Sequence, residues 1–173
     1  MFNFRTLILL AIIVFAALMR FLPHPPNFVP IAAIAMFAGA YFGDKRLAYL
    51  LPISIMIVTD LVIGFHNTMW VVYASFLAMV WIGTLVGKRV GFASVTAGAL
   101  SGSILFYLTT NFAVWAMGSG LFYPKTFEGL LMSYTAAIPF FHYSLAGDLF
   151  YTAILFGGFE LAKKFVPSLS MQS

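Results

Sequence analysis

The sequence predicts an all-α integral membrane protein, a bundle of six transmembrane helices with both termini in the cytoplasm. First, 62% of the residues are hydrophobic and 8% are charged, whereas soluble domains carry about 25% charged residues. Second, the mean hydropathy is +1.01, and the apolar runs approach the roughly 20 residues that a helix needs to cross a bilayer. Third, the basic residues occur mainly in short clusters between these runs.

The six apolar runs are each bounded by charge, proline or glycine. The first follows MFNFR and ends at RFLP, and the second extends from the NF of the proline-rich turn to YFG. The third lies between DKR and GFH, the fourth between HNT and GKRVG, and the fifth between GKRVG and MGSG. The sixth ends before AKK. The predicted spans are about 6–22, 28–43, 47–64, 69–87, 92–117 and 136–161, in a single transmembrane domain over residues 1–173.

The first run has the charge and length of a signal peptide, but we expect it to be retained. A cleavage site would require small residues after the apolar stretch, and Arg20, Phe21 and Leu22 follow it directly. The glycines and prolines within the runs are compatible with membrane helices.

The distribution of basic residues orients the chain. With the N-terminus in the cytoplasm, seven of the nine Lys and Arg lie inside, namely Arg5, Lys45, Arg46, Lys88, Arg89, Lys163 and Lys164. Only Arg20 and Lys125 then lie outside, as the positive-inside rule favours. The outer turns, at about 21–28, 64–69 and 118–136, and the span ends beside them carry a polar set that includes all three histidines: His24, Asn27, His66, Asn67, Tyr123 and His142.

Two acidic residues fall inside the predicted spans. Asp60 lies about one turn from the outer end of the third span, and Asp148 lies nearer the membrane centre. Ionisable groups in a bilayer are costly and commonly mark function. No Lys or Arg is expected within a span to pair with either. Asp60 is a ligand contact or a residue that reaches to the interface, and Asp148 is a ligand contact or a polar link between helices.

The fifth span carries polar and aromatic residues at intervals of four, which places them on one helix face. They are Ser103, Tyr107, Asn111 and Trp115, and Ser144, Asp148 and Tyr151 form a matching face on the sixth span. These faces predict either one wall of a pocket that opens outward or hydrogen bonding between helices.

A face of small residues occurs on the second span, where Ala35, Gly39 and Gly43 repeat at intervals of four. Such a face permits close helix approach. It is predicted to dock a membrane partner, or to be a packing seam within the bundle. Near the C-terminus, Glu160 is spaced to pair with Lys163 or Lys164.

Several functions are excluded or disfavoured. The absence of cysteine excludes disulfides, thiolate metal sites and a cysteine nucleophile. The scattered basic residues do not form a nucleic-acid-binding face. The sequence contains no zinc-protease, serine-hydrolase or phosphate-loop motif, so we expect neither an enzyme nor an intrinsic cofactor.

Several sequence stretches carry a family resemblance: PPNFVPIAAIAMFAGAYF, LPISIMIVTDLVIGFH, TTNFAVW, YPKTFEGLLMSYTAAIPFF and GDLFY. Over about residues 20–160 the chain resembles an uncharacterised bacterial family of transport-type membrane proteins. That family is related to the S-components, the substrate-binding subunits of energy-coupling-factor (ECF) vitamin transporters. The resemblance implies a bacterial cytoplasmic (inner) membrane protein that binds a vitamin beneath its outer loops. It also implies partners, namely a transmembrane subunit and ATPases.

Two departures from the S-component pattern are visible. Ala11, Ala16 and Ala17 of the first span do not form the usual small-residue docking face, and cobalamin-specific members carry a cobalt-ligating cysteine that is absent here. A histidine would have to replace that cysteine. No resident metal site is predicted.

The leading hypothesis is therefore a substrate-binding membrane protein for uptake of a vitamin-type molecule, with cobalamin or a related corrinoid as the candidate ligand. The predicted ligand-binding residues are His24, Asn27, Asp60, His66, Asn67, Asn111, Trp115, Tyr123, His142 and Asp148. The alternatives are a structural or accessory membrane subunit without a ligand, and a carrier coupled to metal ions or protons.

Overall fold

The computed structural model describes residues 3–170 and contains seven α-helices over that range. They are α1 (Phe4–Leu18), α2 (Ile31–Tyr41), α3 (Lys45–Ile63), α4 (Met69–Val86), α5 (Phe92–Met117), α6 (Phe127–Thr152) and α7 (Gly158–Phe165). A 3₁₀ turn (Met19–Phe21) extends α1, and a π-helical turn (Ala153–Gly157) joins α6 to α7. No β-strand occurs between residues 3 and 170.

The prediction of an all-helical membrane protein is confirmed. Among the described residues, five helices are long and apolar enough to cross a bilayer: Phe4–Phe21, α3, α4, α5 and the continuous Phe127–Phe165. Their outward faces carry large apolar side chains, including Phe15 at 68% exposure and Val62 at 73%. Such an extensive apolar surface is typical of a protein that faces lipid. The chain is therefore a multi-pass membrane protein.

The predicted second span, 28–43, differs from the structure. Only Ile31–Tyr41 is helical, which is 11 residues, or about 16 Å at the usual rise per residue. Residues 22–30 form a loop instead, because Pro23, Pro25 and Pro26 cannot donate backbone hydrogen bonds and Asn27 adopts a left-handed conformation with φ of 64°. Short as it is, α2 lies at the centre of the bundle, where Ile34, Ala35 and Ala38 are all fully buried.

The face of α2 that was predicted to dock a partner is instead packed against α4. A Cβ added at Gly39 would lie 2.0 Å from the Val80 carbonyl oxygen, and one added at Gly83 would lie 2.1 Å from that of Met36. Ala35 is 0% exposed, so neither Ala35 nor Gly39 is accessible to another protein. Ala35 and Gly39 therefore belong to a packing seam within the bundle, as the alternative prediction had it, because small residues let helix backbones approach this closely.

The sixth predicted span, 136–161, begins too late. Helix α6 starts at Phe127, where Thr126 is the N-cap and its hydroxyl accepts a hydrogen bond from the Gly129 N–H at 3.2 Å. The first turn also contains Glu128, which suits the positive end of a helix dipole. The long third outer turn of the prediction therefore shrinks to residues 118–126.

The loops between the helices collect at two chemically different ends of the bundle. We call one the loop end, formed by residues 19–30, 64–68 and 118–126. The other is the basic end, which carries Arg5, Lys45, Arg46, Lys88, Arg89, Lys163 and Lys164. At the basic end Lys163 pairs with Glu160 at 2.7 Å, as predicted from their spacing.

Candidate functional site

A cavity of about 210 Å³ lies between α5, α6 and the first loop, on the side of the loop end. Its polar lining comes from Asn27, Ser103, Tyr107, Thr110, Asn111 and Ser144, and its apolar lining from Val72, Phe106, Ala137, Phe140 and Phe141. Three stretches that are distant in the sequence therefore meet at one site. Most of the predicted polar stripe of α5, together with Ser144 of the matching α6 face, lines this cavity.

The polar groups of α5 are held in fixed positions. The Tyr107 hydroxyl donates to the Tyr134 carbonyl at 2.6 Å, and the Asn111 Nδ2 donates to the Tyr107 carbonyl at 2.8 Å. The Tyr107 ring packs 4.7 Å from the Phe141 ring, centroid to centroid. An asparagine amide has two donors and an accepting oxygen, so this arrangement leaves Asn111 with hydrogen-bonding capacity for a ligand.

The first loop contributes Asn27 to the lining of the cavity. Its left-handed backbone suits asparagine better than most residues. The adjacent Phe28 packs its ring 5.6 Å from Phe150 and 5.5 Å from Tyr151. Gly147 allows this contact, because an added Cβ there would lie 3.1 Å from the Phe28 Cα. The loop is thereby fixed to α6 beside the cavity.

Asp148 lies directly behind the cavity wall. Its side chain is buried, with the residue 8% exposed, and Oδ2 accepts a 2.6 Å hydrogen bond from the Ser103 hydroxyl. Ser103 itself lines the cavity. Asp148 therefore contacts the site through Ser103 and is at the same time a polar link between α5 and α6.

Asp60 does not line this cavity, and the expectation that it has no basic partner is wrong. Arg20 reaches it from the 3₁₀ turn, with Nη2 3.3 Å from Oδ1. The Tyr73 hydroxyl donates to Oδ2 at 2.7 Å, and Arg20 also contacts the Thr59 hydroxyl and the Met56 sulfur. Both carboxylate oxygens are therefore engaged within the bundle. Asp60 is 3% exposed, so it does not reach to the interface either.

The remaining predicted site residues lie outside this cavity, most of them at or near the loop end. His142 is the exception, contrary to the prediction, because it lies within α6, 15 residues after Phe127 and so about 22 Å along the helix. The Trp115 indole donates to the Pro124 carbonyl at 2.9 Å, which secures residues 118–126. Tyr123 lines a separate open cavity beside Phe122. The side chains of His24, His66, Asn67 and His142 are exposed. His24 Nδ1 lies 2.9 Å from the Pro25 carbonyl, and His66 Nδ1 lies 3.1 Å from the Thr68 hydroxyl.

The histidines do not meet at a common metal site. Within residues 3–170, no group of three His, Asp or Glu side chains is close enough to hold one ion. The aromatic walls Phe106 and Phe140 were not predicted as site residues. Their apolar character makes them indistinguishable in sequence from lipid-facing positions.

Comparisons with known proteins give a match to one family model. No curated protein matched the chain, and no solved structure did. A family model described as a family of unknown function (DUF6580) matches residues 1–169. Because this match spans nearly the entire sequence, the chain belongs to the DUF6580 family.

Proposed function

We propose that the chain is a substrate-binding membrane protein that captures a small vitamin-type solute in the cavity lined by Asn27, Tyr107 and Asn111. The observation that carries this proposal is the convergence of the first loop, α5 and α6 on one polar and aromatic cavity. Small-molecule sites are commonly concave, mainly apolar and equipped with a few oriented polar groups. No catalytic residue is part of the proposal.

The cavity chemistry favours a compact ring-bearing solute. Phe106, Phe140 and Phe141 can contact the faces of a ring, while the Asn27 and Asn111 amides can bond to polar atoms at its edge. The volume of about 210 Å³ is small, below the roughly 300–1,000 Å³ of drug-sized pockets. A corrinoid is much larger, so we propose a smaller vitamin or vitamin precursor as the ligand in place of cobalamin.

The orientation of the chain follows from charge. Seven Lys and Arg at the basic end favour a cytoplasmic location for that end and for both termini. The cavity would then be supplied from the outer side of a bacterial cytoplasmic membrane. Release to the inside would use a transmembrane partner and ATPases of the ECF type. Such a partner would have to dock on a face other than the buried Ala35 and Gly39.

The proposal predicts that Asn111→Ala weakens solute binding by about tenfold or more, because a buried ligand atom loses its hydrogen-bond partner. The measurement is thermal unfolding of the purified protein with a panel of vitamins and precursors, together with mass spectrometry of co-purifying molecules. Ser101→Ala is the matched control, since Ser101 is exposed on the same helix and its hydroxyl donates to the Ala97 carbonyl at 2.7 Å.

Two results would contradict this function. One is the absence of both a co-purifying solute and any ligand-dependent stabilisation across the panel. The other is a loss of stability in the ligand-free Asn111→Ala protein as large as any loss with ligand. The second result would favour the structural-subunit alternative, in which Asn111 only links helices.

A second candidate, a proton-coupled carrier, rests on the position of Asp148 behind Ser103. Asp148→Asn retains a side chain of the same size that can bond to Ser103, but it removes the ionisable group. For a proton-coupled carrier we expect solute binding within about twofold of wild type and loss of uptake driven by a pH gradient in vesicles. Equal loss of binding and uptake would instead assign Asp148 a structural role.

A further inference from the structure

A second cavity, of about 590 Å³, opens at the basic end between the start of α1, the α2–α3 turn and the end of α4. It lies at the opposite end of the bundle from the proposed solute site. Its lining includes three cationic side chains, those of Arg5, Lys45 and Lys88. Its remaining lining residues are Ala40, Tyr41, Phe42, Gly43, Tyr49, Thr84 and Gly87, and none of them is acidic.

Arg5 is the unusual member of this set. It is 8% exposed, and its Nε has no hydrogen-bond partner within the described part of the chain. A guanidinium stays charged in proteins, and a buried charge without a partner is strongly unfavourable. A cation in this state, at the edge of a cavity, has no counter-ion among residues 3–170 and is available to an anion that enters the cavity.

The nearby carboxylates do not supply that counter-ion. Glu160 accepts from the Tyr41 hydroxyl at 2.5 Å and pairs with Lys163 at 2.7 Å. Asp44 caps α3 and accepts from the backbone N–H groups of Arg46 and Leu47. Both acids are therefore engaged by other groups.

The other two cations are placed to act with Arg5. The Lys45 ammonium donates to the Gly39 and Phe42 carbonyls at 3.2 and 3.1 Å, which holds it at the cavity. Lys88 lines the cavity and is exposed, so its ammonium can turn toward an anion. Two ammonium groups beside a guanidinium suit a phosphate group, whose oxygens can bond to the guanidinium fork and attract both ammonium groups.

We propose that this cavity binds a phosphate-bearing anion. Two sources share that chemistry, the headgroup of an anionic phospholipid and a free phosphate compound. The clustering of basic residues at this end of a membrane bundle would also attract an anionic lipid surface. The proposal does not depend on the function of the first cavity.

The test uses the full chain in detergent with two probes. Phosphatidylglycerol is compared with zwitterionic phosphatidylcholine by native mass spectrometry. Inorganic phosphate is compared with chloride at equal ionic strength by thermal unfolding. We expect at least one phosphate probe to bind with about tenfold higher affinity than its control. A response to phosphatidylglycerol alone identifies a lipid headgroup site, and a response to inorganic phosphate identifies a site for free phosphate compounds.

The variants Arg5→Gln and Lys88→Gln should each reduce that preference by about tenfold. Arg46→Gln and Lys164→Gln are matched controls, because both residues are at the basic end but do not line the cavity. Without a phosphate probe, Arg5→Gln should be at least as stable as wild type, since it removes an unpaired buried charge. The proposal is overturned if neither probe is preferred, or if the control variants reduce binding as much as the cavity variants do.

Discussion

Replacing Arg20 by methionine is expected to destabilise the folded chain by about 3–5 kcal/mol, the cost of leaving a buried charge without its partner. The Asp60 side chain is 4% exposed, and Arg20 is the cation that it contacts, at 3.3 Å. In the variant the carboxylate would keep only the Tyr73 hydroxyl, at 2.7 Å. The measurement is the free energy of unfolding in mixed detergent micelles, followed by circular dichroism.

The double variant Arg20→Met with Asp60→Asn separates charge from packing. It removes both charges, while the amide that replaces the carboxylate keeps a polar atom for Tyr73, so most of the lost stability should return. If the double variant is as unstable as Arg20→Met alone, the buried charge does not cause the loss of stability. The loss would then come from the missing Arg20 contacts to Met56 and Thr59. A single variant within about 0.5 kcal/mol of wild type would show that the pair contributes no more than a surface ion pair.

Gly39→Val is expected to abolish the α2–α4 seam and to cost more than the roughly 1–3 kcal/mol of an ordinary overpacked core. A Cβ at this position would lie 2.0 Å from the Val80 carbonyl oxygen and 3.0 Å from the Thr84 backbone nitrogen. Backbone atoms cannot move aside as a flexible side chain can, so the two helices would have to separate. We expect little monodisperse protein on size-exclusion chromatography and a large fall in the unfolding temperature.

Gly158→Ala is the control for the seam. Gly158 also lies in a helix, but an added Cβ would meet nothing within 4 Å. There the substitution should be neutral or stabilise the protein by up to about 1 kcal/mol, because alanine loses less backbone entropy than glycine on folding. Equal effects at the two glycines would contradict the close approach of α2 and α4.

Hydropathy located the helices best where polar residues and glycines mark both ends. The fifth span, predicted at 92–117, has the same bounds as α5, with Gly91 before it and Gly118 after it. The second and sixth spans were misplaced for opposite reasons. Phe28 and Val29 are apolar but lie in a loop, while Ser133 is polar but lies within α6. A window average of hydropathy registers composition and not backbone conformation.

The sequence predicted only the part of the candidate site that lies on a single helix. The spacing of Ser103, Tyr107 and Asn111 was sufficient to place them on one face. The approach of Asn27 to that face depends on how the loop packs, and the pairing of Arg20 with Asp60 crosses 40 positions of sequence. Arg20 was nevertheless one of only two basic residues expected at the outer side, which was a usable signal for a partner of Asp60.

The short central helix has a consequence for how the protein is made. At about 16 Å, α2 covers only about half of a hydrocarbon core of about 30 Å, so it is a poor membrane anchor by itself. The turn to α3 is only three residues, 42–44, so we expect α2 to enter the bilayer together with α3 as a helical hairpin. Its main packing surface on α4 does not exist until residues 69–86 have been synthesised. We therefore expect insertion of the hairpin to precede docking of α2 on α4.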